Sequence, residues 1–417
     1  MNSDAAVEQA PPALHPLRDR SFVLLMLSRV CSSMSFQSVG VAIGWHVYEQ
    51  TGNAYDLGLI GLFQFLPMVL LTLPAGHVAD RFDRRSVVIV CQIVEALTMI
   101  ALVAGLWTDT LTTTMTFAGV ALLGGTRAFE QPTVSALLPR VAPPATLHQA
   151  IAIASSVNQT AFILGPALGG LLYGFGASVP FMVAACFFIA AACAMSIIKI
   201  SPGDPLREPP TLRSIFSGVS FIFDRPLILG AISLDLFAVL LGGVTALLPI
   251  FARDILQAGP VSLGVLRSAQ AVGGLSMSLV LARVALGHNV GRKMLVAVIV
   301  FGVATVLFSL STNIALSVFC LFMMGAADNI SVVVRTSLVQ LSTPDEMRGR
   351  VSAVNSLFIG TSNQLGEFES GMVAGLMGPV AAGVFGGVGT IIIALIWARI
   401  FPALRLVDTL SGGAKPK

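Results

Sequence analysis

Charge is what this chain has least of. Asp, Glu, Lys and Arg make up 11% of its 417 residues, against roughly 25% in a soluble domain, so a folded surface could not be dressed in water. Lysine is scarcer still. Lys199, Lys293, Lys415 and Lys417 are the only ones, and none follows a glycine-rich loop. With no G-x-x-x-x-G-K-[ST] anywhere, ATP hydrolysis by a P-loop is excluded. The five histidines and five cysteines (Cys31, Cys91, Cys186, Cys193, Cys320) have no ligand or redox spacing, so no metal is expected and the thiols read as small apolar residues. No nucleophile elbow occurs; neither an enzyme nor a cofactor site is expected. A net charge of +3 is too small to argue for nucleic acid. The first 20 residues hold no apolar run, so no cleavable signal is expected and the first apolar segment serves as the insertion signal.

What the chain has instead is length of apolar sequence: 55% hydrophobic residues and a mean hydropathy of +0.87. Runs long enough to cross a bilayer fall near 21–47, 56–79, 86–106, 112–137, 147–174 and 178–199, then 227–251, 261–285, 294–310, 313–340, 348–376 and 379–401. The expected fold is an all-α integral membrane protein of two six-helix bundles, 21–199 and 227–402. Around them lie an N-terminal tail (1–20), a central loop (200–226) and a C-terminal tail (403–417). Four prolines among Ser201–Pro210 keep that stretch from becoming a helix. After it Leu212, Ile215, Phe216, Val219, Ile222 and Phe223 recur at helical spacing, which predicts a short helix lying on the membrane surface.

Basic residues set the topology. Nineteen of the 24 Lys and Arg residues fall in the tails, the even-numbered loops or the helix ends beside them. Arg253 alone lies in an odd loop, and Arg29, Arg127, Arg267 and Arg335 lie within helices. This bias places the even loops and both termini in the cytoplasm. Trp45, Tyr48, Tyr55, Trp107 and Tyr173 sit near the opposite helix ends, as an interfacial aromatic belt would. The halves are faintly alike: a shift of 206 residues lays Leu57-Gly58 over Leu263-Gly264 and Arg29 over Asp235.

Between the second and third runs lies Gly76-His77-Val78-Ala79-Asp80-Arg81-Phe82-Asp83-Arg84-Arg85, five formal charges in ten residues. It resembles the signature loop of the major facilitator superfamily, matching at Gly76, Ala79, Asp80, Arg81, Arg84 and Arg85. Asp83 stands where that family has Gly, a position expected to need a left-handed turn, which Asp tolerates. The resemblance implies that Gly76, Asp80, Arg81, Arg84 and Arg85 form a conformational latch. Asp80 would meet the N-terminus of the eleventh helix, which opens at Thr343-Pro344-Asp345-Glu346, a capping box with positive end charge. In the second half Gly287–Lys293 takes the loop's place without its Asp-Arg.

Ionisable residues inside apolar helices cost about 3 kcal/mol each to insert, which makes them informative. They are Arg29, Glu95, Arg127, Glu130, Asp235, Arg267, Asp328, Arg335, Glu367 and Glu369. The resemblance places helices 1, 4, 7 and 10 around a central cavity, and six of the ten lie on those helices. The expectation is a charged layer of Arg29, Arg127, Glu130, Asp235, Asp328 and Arg335, with Arg29 facing Asp235 and Arg127 facing Glu130 or Asp328. These pairs either exchange partners as a carboxylate takes a proton, or only staple the bundles. Glu367 and Glu369, two apart, point to different sides of one helix. One faces the cavity or a helix seam, and Glu95 receives no role.

Gly165-Pro166-Ala167-Leu168-Gly169-Gly170 is similar to the core of the superfamily's antiporter motif. Physically it is also a face for close helix contact, bent at Pro166. Leu137-Leu138-Pro139 and Thr343–Val351 resemble the bacterial branch of enterobactin exporters and macrolide efflux proteins. The implied function is proton-coupled export of a small amphiphilic molecule, siderophore or drug-like, by a monomer in the bacterial inner membrane. Small-molecule substrate, protons and the lipid bilayer would be its partners. An uncoupled facilitator or lysolipid flipper of the same fold stays open, as does a membrane sensor.

Overall fold

The computed structural model describes residues 16–142, 146–198, 212–284 and 286–409, without the side chains of 73, 76, 77, 79, 80, 212–216, 218, 345, 346, 349, 353 and 357. Its helices are α1 (Arg20–Thr51), α2 (Ala54–Arg81), α3 (Arg84–Trp107), α4 (Thr113–Val141), α5 (Leu147–Tyr173), α6 (Val179–Ile197) and α7 (Leu212–Phe223). After them come α8 (Pro226–Leu241), α9 (Leu248–Ile250), α10 (Pro260–Arg283), α11 (Val290–Leu310), α12 (Ile314–Leu341), α13 (Asp345–Met377), α14 (Pro379–Ile400) and α15 (Pro402–Arg405). Among the described residues, ten spans are long and apolar enough to cross a membrane. The long helices α4 and α13 pack among them and complete two sets of six. They carry more polar residues, because Arg127, Glu130 and Gln131 on α4, and Asn363, Gln364 and Glu367 on α13, turn to the interior.

Short polar caps start several of these helices. The Asp19 carboxylate accepts from Ser21 and Phe22 N–H, Asn53 from Tyr55 N–H, and Asn313 from Ala315 and Leu316 N–H. Asp83 does the same for α3, accepting from Ser86 N–H at 3.2 Å and its hydroxyl at 3.0 Å. Its φ of −59° is not left-handed. The residue replaces the family glycine as an N-cap, where Asp is among the preferred residues, not as a turn former.

In the first bundle α1 packs on α5 and α6, and α4 on α2 and α3. In the second α10 and α11 pack on α12, and α8 on α13 and α14. The bundles meet along two seams, α5 with α10 and α2 with α13. Lipid-facing surface is apolar. On α3, Val90 and Leu97 are each 59% exposed, with Ile93 and Ile100 beside them, while Gln92 and Glu95 are wholly buried. That inside-out stripe suits hydrocarbon, where polar groups find partners only within the protein.

Three sequence expectations are corrected. The seventh run is broken: α8 ends at Leu241, a 3-10 turn covers Val244–Leu247, and a π-helical turn covers Phe251–Ile255. The cause is Gly242-Gly243 against neighbouring helices, where a Cβ on Gly243 would strike the Gly366 backbone and one on Gly242 the Phe301 ring. The C-terminal segment does not leave the bundle at residue 403. Leu404 and Val407 are buried, Val407 and Asp408 carbonyls accept from Gly291 and Val290 N–H, and the Asp408 carboxylate accepts from Asn289 N–H at 3.1 Å. The aromatic belt is largely interior. Trp45, Tyr48 and Tyr173 are no more than 7% exposed and pack in the core, whereas Trp107 is 69% exposed.

The proline-rich stretch 201–210 lies outside the described residues, as do the side chains of Leu212, Ile215 and Phe216. Among the described residues of α7, Val219, Phe221 and Ile222 pack against α8, α12 and α13 through Ile228, Ile232, Val339, Val351 and Val354.

Candidate functional site

Small residues let the bundles touch at one end. We call the end carrying Gly52, Thr108, Gly259 and Gly378 the odd face, and that of the 82–83, 142–146, 284–289 and 342–344 connections the even face. In the odd half, Gly58 of α2 lies against Gly371 of α13, and Gly264 of α10 lies against Pro166 and Gly170 of α5. Gly58 and Gly264 are the two positions the 206-residue shift superposes, each at its own seam. Of the glycine motif, Gly165 and Gly169 face Gln37 and Ser38 of α1, and Gly170 faces α10. Gly40 stands beside the Arg267 guanidinium, and Gly44 beside Pro249.

A polar clasp closes the same face. The Tyr48 hydroxyl donates to the Asp254 carboxylate, and Arg253 Nη1 donates to the Tyr48 carbonyl at 3.0 Å. The Arg253 guanidinium lies 5.6 Å from the Tyr48 ring centroid. Behind it the Tyr173 hydroxyl donates to Glu49 at 2.7 Å and contacts His46 Nδ1 at 3.0 Å. Arg253, the odd-loop exception in the charge count, is thereby a cross-bundle contact.

Between the bundles lies a cavity of about 780 Å³. Its charged lining is Arg267 of α10, Asp328 of α12 and Glu367 of α13. Carboxamides dominate its uncharged polar lining: Gln37, Gln64, Gln131, Asn158 and Gln159 from the first bundle, Gln270, Asn329, Asn363 and Gln364 from the second. Phe36 and Phe162 supply its aromatic faces. Arg267 and Glu367 act on each other through the field, without a direct bond. Asp328 has no hydrogen bond or ion pair among the described residues. Such a lining can hold a molecule of mixed polarity and offers either sign of charge a partner.

Of the expected charged layer, only Asp328 lines this cavity. Arg29 and Asp235 do not pair. Asp235 is ion-paired with Arg335 inside the second bundle, both almost fully buried. Arg29 makes no ion pair among the described residues; the acidic group whose field reaches it is Glu130. Glu130, buried in the first bundle, accepts from Arg127 Nη1 at 2.9 Å, Ser32 Oγ at 2.8 Å and Gln92 Nε2 at 3.0 Å. Those three donors satisfy a carboxylate that would otherwise be costly there. The Arg127 guanidinium also lies 4.0 Å from the centroid of Phe36, the ring that forms part of the cavity wall. Glu95, which had no expected role, is wholly buried behind this cluster and accepts from Thr126 Oγ1 at 2.9 Å.

Two cavity charges, Arg267 and Glu367, lie on helices other than the four that the resemblance sets around the cavity. Glu367 is one of the two α13 carboxylates of which one was expected to face the cavity or a seam. The signal for Glu367 was in the sequence of α13: Ser356, Gly360, Asn363 and Glu367 fall three or four apart with Gln364 beside Asn363, one stripe of polar and small residues on one helix face. In the signature loop, Arg85 Nη1 donates to the Ile198 carbonyl at 2.7 Å and Arg84 Nη1 to the Ala136 carbonyl at 3.5 Å. These hold the loop against the even ends of α6 and α4, where cations are favoured. Arg81 is exposed. The position of Gly76 and the side chains of Asp80, Asp345 and Glu346, hence the expected latch contact and capping box, lie outside the described residues.

The model of the Major Facilitator Superfamily matches residues 25–367. The enterobactin exporter EntS of Escherichia coli O81 (strain ED1a) is 26% identical over 392 residues, which is 92% of each chain. Among solved structures, a bacterial homolog of the human lysosomal transporter Spinster, in an inward-facing, occupied conformation, superposes with a TM-score of 0.74. It is 14% identical and covers 94% of this chain and 97% of its own. The nucleoside transporter NupG gives a TM-score of 0.65 at 14% identity, with 91% and 99% covered.

Proposed function

The chain belongs to the Major Facilitator Superfamily, and from that footing we propose a proton-coupled exporter that moves a small amphiphilic molecule, siderophore or drug-like, across the bacterial inner membrane by alternating access. Family and fold make it a multi-pass membrane transporter. The observation that carries the finer reading is the cavity between the bundles, with Arg267, Asp328 and Glu367 in its wall and a glycine-lined seal to one side. Its volume lies within the range of roughly 300–1,000 Å³ of small-molecule sites. Similarity to a protein named as an enterobactin exporter supports outward transport of a siderophore-like cargo.

In this reading the even face is cytoplasmic, as the basic residues indicate, and both termini lie there. The molecule works as a monomer, and the glycine seams and the Tyr48–Asp254 clasp close its outer face. Return of protons down their gradient powers export, with Asp328 and Glu367 as the carboxylates the cargo meets. Arg127–Glu130 with Arg29, and Asp235–Arg335, each brace one bundle from within and report protonation to it. The loop residues Gly76, Asp80, Arg81, Arg84 and Arg85 latch the cytoplasmic side when the cavity opens outward. The Gly165-Pro166-Gly169-Gly170 face of α5 is the bearing on which α1 and α10 move.

Purified protein in liposomes tests this. Enterobactin and a panel of amphiphilic drugs are offered with a pH gradient imposed and then collapsed. Uphill movement of at least one compound that stops with the gradient is expected. Movement indifferent to the gradient, or no movement of any compound, would overturn the assignment.

A further inference from the structure

Asp328 borders two spaces. One is the central cavity; the other is a chamber of about 10 Å³ bordered by α8, α11 and α12, whose polar lining is Asp235, Asp328 and Ser331. The chamber's remaining walls are Ala238, Val239, Val298, Phe301 and Ala327, all apolar. A space that size holds about one water, provided two to four polar groups converge on it. Three do. Ser331 makes the case specific, being 3% exposed with a hydroxyl that has no hydrogen-bond partner. Leaving a buried hydroxyl so is costly, and a water between two carboxylates relieves it. On α12, Asp328, Ser331 and Arg335 stand at i, i+3 and i+7 and so share one face, and Asp235 of α8 is ion-paired with Arg335 across from them.

We propose that Asp235, Asp328 and Ser331 hold one water between them, and that this water carries protons between the cavity and the buried Asp235–Arg335 pair. The step balances. Protonated Asp328 gives its proton to the water, the water gives one of its own to the Asp235 carboxylate, and Asp328 is left ionised. Neutral Asp235 then releases its hold on the Arg335 guanidinium, loosening α8 from α12. Ser331 is a positioning residue that fixes the water without changing charge. The charged groups around the relay are few. From α12 they are Arg335 and Asp328 itself; α11 presents only Val298 and Phe301. From α13 Glu367 faces the cavity with Arg267 of α10, and Glu369 accepts from Ser370 Oγ. On α14, Thr390 donates to the Ala238 carbonyl and carries no charge.

The relay deepens the proton-coupled reading, yet its test needs no transport. Full-length protein in nanodiscs is taken through an acid jump, and carboxyl protonation is followed by time-resolved infrared difference spectroscopy. Asp235→Asn assigns the Asp235 band, and Asp235→Glu assigns it by a band shift if the amide variant fails to fold. Ser331→Val, which puts a methyl group in place of the hydroxyl and adds a second that Ser331→Thr also carries, should slow protonation of Asp235 by about tenfold or more. Ser331→Thr should restore it, and Asp328→Asn should slow it like the valine. An ordered water bonded to all three side chains is expected in a high-resolution cryo-EM map. Asp235 protonating at the wild-type rate in both Ser331→Val and Asp328→Asn would overturn the relay. Substrate movement insensitive to a pH gradient, with the infrared result as expected, would refute coupled export and leave the relay standing.

Discussion

Asp235 on α8 is ion-paired with Arg335 on α12, and only 6% and 2% of these residues is exposed. Neither charge can turn to water if the other is lost. Arg335→Met should therefore destabilise the protein by about 3–5 kcal/mol, measured as the shift in unfolding midpoint in detergent. Adding Asp235→Leu should recover most of that loss, since an apolar pair needs no partner. A double variant as unstable as the single one would show that the pair is not what the stability depends on.

The clasp at the odd face predicts an opening effect. The Tyr48 hydroxyl donates to a carboxylate, a bond worth about 1.5–3 kcal/mol, and roughly 1.4 kcal/mol shifts an equilibrium tenfold. Tyr48→Phe and Asp254→Asn should each raise the population with separated odd-face ends by about tenfold or more. Spin-label distances between α1 and α10 would read this directly. Unchanged distance distributions in both variants would remove the clasp from the account.

How much of this was legible beforehand depends on what each residue answers to. Apart from the broken seventh run, helix positions came within a few residues, because apolar runs and their polar punctuation are set by the bilayer, a local constraint. Arg127–Glu130 was legible too, being one helical turn. The partner of Asp235 was not. Its choice of Arg335 over Arg29 depends on how α8 and α12 are rotated within one bundle, and pseudo-repeat alignment sets positions side by side without saying which way they point. Tyr48 and Tyr173 looked like interfacial rings because sequence shows depth along a helix but not which face is turned inward. The break at Gly242-Gly243 was written plainly, yet a double glycine has meaning only once Gly366 and Phe301 are known to press on it.

Close approach at the seams gives a steric prediction. Gly170 and Gly264 leave no room for side chains between α5 and α10. Gly264→Leu should prevent closure of the odd face and abolish transport while leaving insertion and expression near normal. The check is transport together with the α1–α10 distance. A variant that still closes and transports would mean the seam has slack.

Asp80 supplies the opposite closure in the proposed cycle. A carboxylate at a helix N-terminus is worth about 0.3–1 kcal/mol, up to about 2 when partly buried, so it biases rather than locks. Asp80→Asn should reduce transport several-fold with normal insertion, and full activity would discredit the latch.

The most direct test of the whole account is which side of the membrane reaches the cavity. In a cysteine-free background, Asn158→Cys and Ser356→Cys place single thiols in its wall, on α5 and α13. Treated with a membrane-impermeant thiol reagent in sealed, oriented vesicles, both should react from the even face and stay protected from the odd face. Substrate with an imposed pH gradient should raise labelling from the odd face. Equal labelling from both sides at rest, or no response to substrate and gradient, would contradict a cavity that opens alternately.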